Sequence, residues 1–248
     1  MPRLVGVLAD IHGDIFALDA ALARLHQMGC DPILCTGDLI EMEPFGEEVI
    51  QRLKSEKNVI CIKGNHERWA LERRRRREDV RSFFEPCNIA DYVGGGIDLS
   101  REALAWLATL PGHWEGELEG IRVAMWHARP GNDMEGITKE TIGPKLRRRL
   151  LVQARADVLI VGHTHVEFEL VVNVPPGKIL NPGSCCSKAY VYKQAGPLIV
   201  PDEFRPATFG VLELPSMRFE VYRALDGERV FGTSPDRPCI RAPRKADG

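Results

Sequence analysis

The sequence predicts an α/β protein whose first half alternates strands with helices and whose second half crowds strands together. Three observations carry this. Short apolar runs with β-branched residues recur along the chain and read as buried strands. In the first half they alternate with helical patterns, which argues α/β layering with much parallel pairing. Five of the runs stop at residues able to bind divalent metals, and ligands of open α/β sheets sit at the ends of strands.

Taken in order, residues 4–8 form the first apolar run and lead into Asp10, Ile11 and His12; residues 15–28 then have a helical pattern. Residues 33–35 lead into Gly37 and Asp38, and residues 44–54 are again helical. Residues 59–62 lead into Gly64, Asn65, His66 and Glu67. A less regular stretch over about 79–113 reads as a mostly helical insertion over or beside the site. It holds the connector Gly94, Gly95 and Gly96, then Ser100 as the N-cap of a helix that Pro111 and Gly112 end. Residues 123–126 lead into His127, and residues 158–161 lead into Gly162, His163, Thr164 and His165. After Asp157 the strands are closely spaced, over 166–173, 178–180, 208–214 and 217–223, with a hairpin turn at 214–217. The tail over 226–248, rich in Pro, Arg, Asp and Gly, is expected to be loosely ordered, which leaves 1–225 as the folded domain.

The chain has seven histidines, and five of them (His12, His66, His127, His163 and His165) fall at those strand ends. Scattered structural histidines would not sort themselves that way. Carboxylates, imidazoles and one amide, with no cysteine in any cluster, suit Mn, Fe, Zn or Ni rather than a thiolate zinc site. The candidate ligands are too many for one tetrahedral ion, which points to two divalent ions sharing a carboxylate. Asp38, on the intervening strand, is the natural bridge. Metal pairs roughly 3.5–4 Å apart stabilise both the attacking and the leaving oxygen of a phosphoryl displacement. Asp10 and His12, two apart in an extended segment, are expected to point the same way, as are His163 and His165.

These blocks resemble the calcineurin-like metallophosphoesterases. The matching pieces are Asp10-Ile11-His12-Gly13, Gly37-Asp38, Gly64-Asn65-His66-Glu67, His127 and Gly162-His163-Thr164-His165, followed by Asn181-Pro182-Gly183-Ser184. They stand in the family's order, 28 residues from Asp10 to Asp38 and 27 from Asp38 to Asn65. The likeness covers roughly residues 3–223, and the small bacterial and archaeal phosphodiesterase-like branch is the most similar. It implies a four-layer α-β-β-α sandwich with two facing mixed β-sheets.

The resemblance also implies roles. Asp10, His12, Asp38 and His165 would hold one ion; Asp38, Asn65, His127 and His163 would hold the other. A hydroxide bridging the ions would attack phosphorus, since coordination can bring a water's pKa to about 7. His66, projecting differently from Asn65 in an extended turn, would protonate the leaving oxygen without ligating, a task worth about 10²–10⁴-fold. Glu41 stands where the family's protein phosphatases carry an aspartate that orients this imidazole; Glu67 and Asp14 are the alternatives. Those phosphatases, and the dinucleoside-polyphosphate ones, also continue from Gly-Asp into an Asp-Arg-Gly whose arginine clamps the phosphate. Here the stretch is Glu41-Met42-Glu43, which weakens the protein-phosphatase reading. Arg129, two residues beyond His127, is the candidate substrate cation, with an ordinary solvated loop arginine as its alternative.

The expected activity is therefore hydrolysis of phosphodiesters, with phosphomonoesters also in view, at an open, apolar-ringed site taking a small phosphoester, nucleotides included. The alternatives are a serine/threonine protein phosphatase or nucleotide phosphatase, a nuclease, and a non-catalytic scaffold like the retromer subunit that keeps this fold without the catalytic histidine. His66 and the full ligand set argue against the scaffold. The nuclease reading would rest on the arginines at 73–77, which could track a phosphate backbone. Five consecutive positions point all round a helix, however, Glu72, Glu78 and Asp79 flank them, and the net charge of −2 lacks a nucleic-acid binder's basic excess. A solvated helix surface is the preferred reading. Arg147, Arg148 and Arg149 read as dipole partners near a helix end, and the four tryptophans as packing residues. With 44% hydrophobic content, the 248 residues can bury one large core or two small ones. The odd count of seven cysteines, several in apolar strands, and the lack of a signal peptide or membrane-spanning run point to a reducing cytoplasm.

Overall fold

The computed structural model describes residues 2–75, 99–187, 190–195 and 198–231. In chain order the elements are β1 (Arg3–Leu8), α1 (Ile15–Gln27), β2 (Ile33–Cys35), α2 (Gly46–Ser55), β3 (Val59–Cys61) and α3 (Asn65–Arg75). There follow α4 (Arg101–Thr109), β4 (His113–Leu118), β5 (Ile121–Trp126), α5 (Pro144–Gln153), β6 (Val158–Ile160), β7 (Phe168–Asn173) and β8 (Pro176–Asn181). The chain continues through β9 (Tyr190–Ala195), β10 (Leu198–Phe204), β11 (Thr208–Leu214), β12 (Arg218–Arg223) and β13 (Arg229–Phe231).

Two mixed sheets form. One has the order β13-β12-β11-β1-β2-β3, in which β1, β2 and β3 are parallel and β11 joins β1 antiparallel. The other has the order β4-β5-β6-β8-β7, parallel at β5, β6 and β8. Side chains alternate across each strand, and that alternation produces three apolar layers. Ile33 and Cys35 face α1, α2 and α4, meeting Leu22, Leu25, Ile50 and Leu107. Leu34, between them, faces the other sheet and joins Val5, Val7, Val123, Met125, Val158 and Ile160. Leu159 turns the opposite way from its neighbours Val158 and Ile160, packing with Leu150, Leu151 and Phe168 under α5. Helix, sheet, sheet and helix are thus four layers, as the resemblance implied. Each large aliphatic side chain buried this way contributes about 1.5–3 kcal/mol, so sheet order, and with it the site, is strongly specified.

The structure departs from the sequence reading in several places. Asn65 and His66 do not lie in an extended turn; they open α3. His113 opens β4, an edge strand with charged residues and alternating exposure, so no apolar run announced it. Within the expected insertion, residues 79–98 lie outside the described residues. The remainder packs into the main body: Ser100 caps α4 through Ala103 N at 3.0 Å, and Ala103 and Leu107 enter the core. Arg147, Arg148 and Arg149 sit in the middle of α5, not near its C-terminal dipole, and Arg147 Nε donates to the Ile142 carbonyl at 3.0 Å. The β9–β10 hairpin, a two-stranded antiparallel sheet of its own, has no counterpart in the sequence reading. β13 carries the first sheet past residue 225, while residues 232–248 lie outside the described residues. Arg73, Arg74 and Arg75 end α3, and the rest of the arginine run is likewise outside. Cys30, Cys35, Cys61, Cys185 and Cys186 are buried free thiols that act as small hydrophobes. Among the described residues no helix is long and apolar enough to cross a membrane.

Candidate metal centre

The donors gather where the parallel strands of both sheets end, and the backbone bends sharply to bring them there. Asp10, His12 and Asp38 have φ near +50°, and His163 and His165 have φ of 67° and 58°. This corrects the expectation that Asp10 and His12, or His163 and His165, share a face by strand periodicity: the strands end earlier and left-handed turns aim the side chains instead. Such conformations are uncommon outside glycine, with Asn, Asp and His enriched, and they cluster at functional sites. The turns are stitched together. Asp10 N donates to the Gly37 carbonyl at 3.1 Å, His12 N to Asp38 O at 2.9 Å and Gly13 N to Leu39 O at 2.9 Å. Two glycines make room for the carboxylates: a Cβ at Gly64 would collide with Asp38, and one at Gly162 would lie 2.9 Å from Asp10 Oδ2.

Three trios of ligand atoms lie within 4.8 Å of one another: Asp10 with His12 and His165, Asp38 with His127 and His163, and His12 with Asp38 and His66. Asp38 belongs to two of them. His127 Nδ1 faces the Thr36 carbonyl at 2.9 Å, so it carries the proton in the neutral ring and leaves Nε2 as a bare lone pair. That Nε2 meets Asn65 Oδ1 at 2.9 Å, Asp38 Oδ2 at 3.1 Å and His163 Nδ1 at 3.2 Å. Lone pairs converging at such distances repel unless a proton on Nε2 or a metal cation stands among them. Likewise His12 Nε2 and His165 Nε2 face each other at 3.1 Å. The donor set therefore fits divalent metal.

Without a metal, the residues share protons among themselves. Burial, together with Asp38, pushes the Asp10 carboxyl up to about 7 against the pull of His127. Asp38 is held well below the carboxylate range: burial acts upward, but the positive charges of His127 and His66 outweigh it. His127 is pushed up to about 10, the charge of Asp38 overcoming burial, while burial and His127 drive His163 down to about 4.

His66 closes the third trio, nearer the other donors than the reading that it stands apart from the ligands implied. Its Nδ1 lies 2.6 Å from Glu41 Oε2, both side chains are buried, and its Nε2 is 3.8 Å from Asp38 Oδ2. Burial lowers its proton affinity, but Asp38 and Glu41 more than restore it. The two alternatives to Glu41 have other tasks. Asp14 caps α1 through Ala17 N at 2.9 Å and accepts from Ser187 N at 2.9 Å. Glu67 accepts from the backbone N–H groups of Asp38, Leu39 and Gly64 at 2.8–2.9 Å, locking the β2 loop to the β3 loop.

Arg129 lines a cleft of about 330 Å³ that opens beside His127, together with Arg68, Trp126, Asn132 and Asp133. Charged and polar side chains share its lining about evenly with apolar surface such as Trp126 and Ala128, so it is not ringed by apolar groups alone. The Arg129 guanidinium pairs with Glu135 rather than standing free. Sequence reasoning missed the Thr36 carbonyl and the Glu67 lock, and it found the Asn-Pro-Gly-Ser turn without its task as a strap. In that strap Asn181 Nδ2 donates to the Gly162 carbonyl at 3.0 Å and Ser184 Oγ to the Asp10 carbonyl at 2.7 Å.

Known proteins share this architecture. An uncharacterized protein of Methanocaldococcus jannaschii is 24% identical over 183 residues, 71% of this chain and 67% of that protein. The crystal structure of a hypothetical protein from Pyrococcus horikoshii superposes with a TM-score of 0.70 at 17% identity, covering 89% of this chain and 87% of that one. That of a metallophosphoesterase from Sphaerobacter thermophilus gives 0.66 at 18% identity, covering 94% and 90%. The family model described as the calcineurin-like phosphoesterase superfamily domain matches residues 4–197, taking in every candidate ligand, and the chain belongs to that superfamily.

Proposed function

We propose that this chain hydrolyses phosphodiesters at a pair of divalent metal sites. Asp10, His12, Asp38 and His165 would hold one ion and Asp38, Asn65, His127 and His163 the other, with Mn, Fe, Zn or Ni as candidates. Bound there, the ions supply Lewis-acid stabilisation of phosphoryl charge and lower the pKa of a nucleophilic water.

The protein supplies the proton. With Nδ1 against Glu41, His66 presents Nε2–H to the leaving oxygen and gives up that proton as the ester bond breaks. Glu41 holds the ring's orientation and favours its protonated form. The carrying observation is this Glu41–His66 contact of 2.6 Å beside a carboxylate common to two ligand trios. Diesters are favoured over monoesters because Glu41 and Glu43 occupy the stretch after Asp38, adding negative charge where a dianionic monoester would need a cation.

The test compares bis-p-nitrophenyl phosphate with p-nitrophenyl phosphate and a folded phosphoprotein, using Mn²⁺-loaded protein. Turnover should follow that order, with the phosphoprotein negligible. Efficient phosphoprotein turnover beside an inert diester would overturn the assignment.

A further inference from the structure

The cleft beside His127 carries information about substrate that the metal ligands do not. Arg68 lies two residues beyond His66 on α3 and faces the loop that follows His127. Its Nε and Nη2 donate to Asp133 Oδ2 and Oδ1 at 2.6 and 3.0 Å, a bidentate pair, and Glu72 lies 3.5 Å from its Nη1. Arg129, from that same loop, pairs with Glu135. The loop is closed on itself: Arg129 N donates to Glu135 O at 3.1 Å, Asn132 N to Arg129 O at 2.9 Å, and Asn132 Oδ1 accepts from Met134 N at 3.0 Å. Trp126, stacked on His113 at 4.3 Å, completes one side, and its indole N–H meets no acceptor among the described residues.

Each arginine charge is thus balanced by carboxylates, Asp133 and Glu72 for Arg68 and Glu135 for Arg129. A cleft built to grip a second phosphate would hold uncompensated cations; this one offers directional donors without net positive charge. Its volume of about 330 Å³ is near the small end of ligand sites, roughly 300–1,000 Å³, and suits one compact group rather than a polymer.

We propose that the Arg68–Arg129 cleft binds one ester arm of the substrate, and that this arm is an uncharged, hydrogen-bonding alcohol of sugar or nucleoside size. The inference rests on the phosphodiesterase reading above: with phosphorus at the Asp38 trios, one substituent enters the cleft next to His127. A second phosphate on that arm would meet Asp133 and Glu135 and be rejected.

Three esters sharing one leaving group test it on Mn²⁺-loaded protein: methyl p-nitrophenyl phosphate, thymidine 5′-(p-nitrophenyl phosphate), and the latter bearing a 3′-phosphate. The thymidine ester should exceed the methyl ester in kcat/KM by at least about tenfold, as expected of a site that hydrogen-bonds its substrate. The added 3′-phosphate should remove that advantage. Arg68→Met should bring the thymidine-to-methyl ratio towards one. Asp133→Asn should relieve the 3′-phosphate penalty, because it leaves Arg68 with only the exposed Glu72 as a partner. Equal turnover of all three esters, or preference for the 3′-phosphorylated one by the wild type, would overturn the cleft assignment while leaving the phosphodiesterase reading intact. No turnover of any of them, with two ions per chain verified by elemental analysis, would sink both.

Discussion

The two histidine pairs of the site are built differently. On one side, His127 is pinned from behind by the Thr36 carbonyl and aims Nε2 at Asn65, Asp38 and His163. On the other, His12 faces His165 but its own Nδ1 is buried with no hydrogen-bond partner among the described residues. Its ring is held by edge contacts with His66 and His165, at 4.8 and 5.0 Å between centroids. On that difference, the His127 side should be organised before any cation arrives, whereas the His12 side should take more of its final geometry from one. Outer partners of a ligating histidine are typically worth 10–100-fold in metal affinity.

The largest test removes what the two sides share. Asp38→Asn should empty both and abolish turnover, whereas His165→Ala should chiefly empty the His12 side, read by elemental analysis of purified protein. Retention of both ions in Asp38→Asn would show that the carboxylate is not common to them. Next comes His66→Gln, which should keep both ions and lose about 10²–10⁴-fold in kcat on a poor leaving group. On a nitrophenolate ester the loss should be distinctly smaller; equal losses on both would take the proton-donor role away from His66. Smaller still, stepwise Mn²⁺ titration calorimetry should resolve two affinities about 10–100-fold apart, with His127→Ala removing the tighter. Two equal affinities would erase the distinction between the sides.

The smallest effect concerns pH. In the metal-free protein His127 is raised from 6.5 to about 10, so the stability it contributes is present below pH 6.5 and lost as pH rises towards 10. His163, near 4, is already neutral in that window and does not oppose the loss. With EDTA, Tm should fall between pH 6.5 and 8.5; with Mn²⁺ it should hold, because the ion replaces the proton. A metal-free Tm that rises over this range would contradict the charge balance described for the site.

Much of this was legible in the chain. The strands ending at Asp10, Asp38, His127 and His163 could be read because apolar runs report burial directly. Glu41 could be named from its place after Asp38, and the structure brings it to His66. The Thr36 anchor could not be read, since a backbone carbonyl has no residue signature. Nor could the task of Glu67, whose carboxylate collects three backbone N–H groups. β4 escaped because an edge strand with alternating glutamates shows no apolar run. Strand periodicity says nothing about where a strand stops, so it cannot give the turn geometry at Asp10 and His12.

The left-handed backbone at Asp10, His12, Asp38, His163 and His165 bears on how this lineage can change. Each position has two demands, a donor atom and tolerance of positive φ, and only a short menu of residues meets the second. Drift away from metal binding that keeps the chain folded should therefore pass through asparagine or glycine, whereas β-branched replacements would be lost as misfolded protein. Glu41 and Met42, at φ of 71° and 69°, carry that strain without belonging to the tolerant types. They are the two positions where replacement by glycine should make the loop easier to form, even as Glu41→Gly takes the carboxylate away from His66.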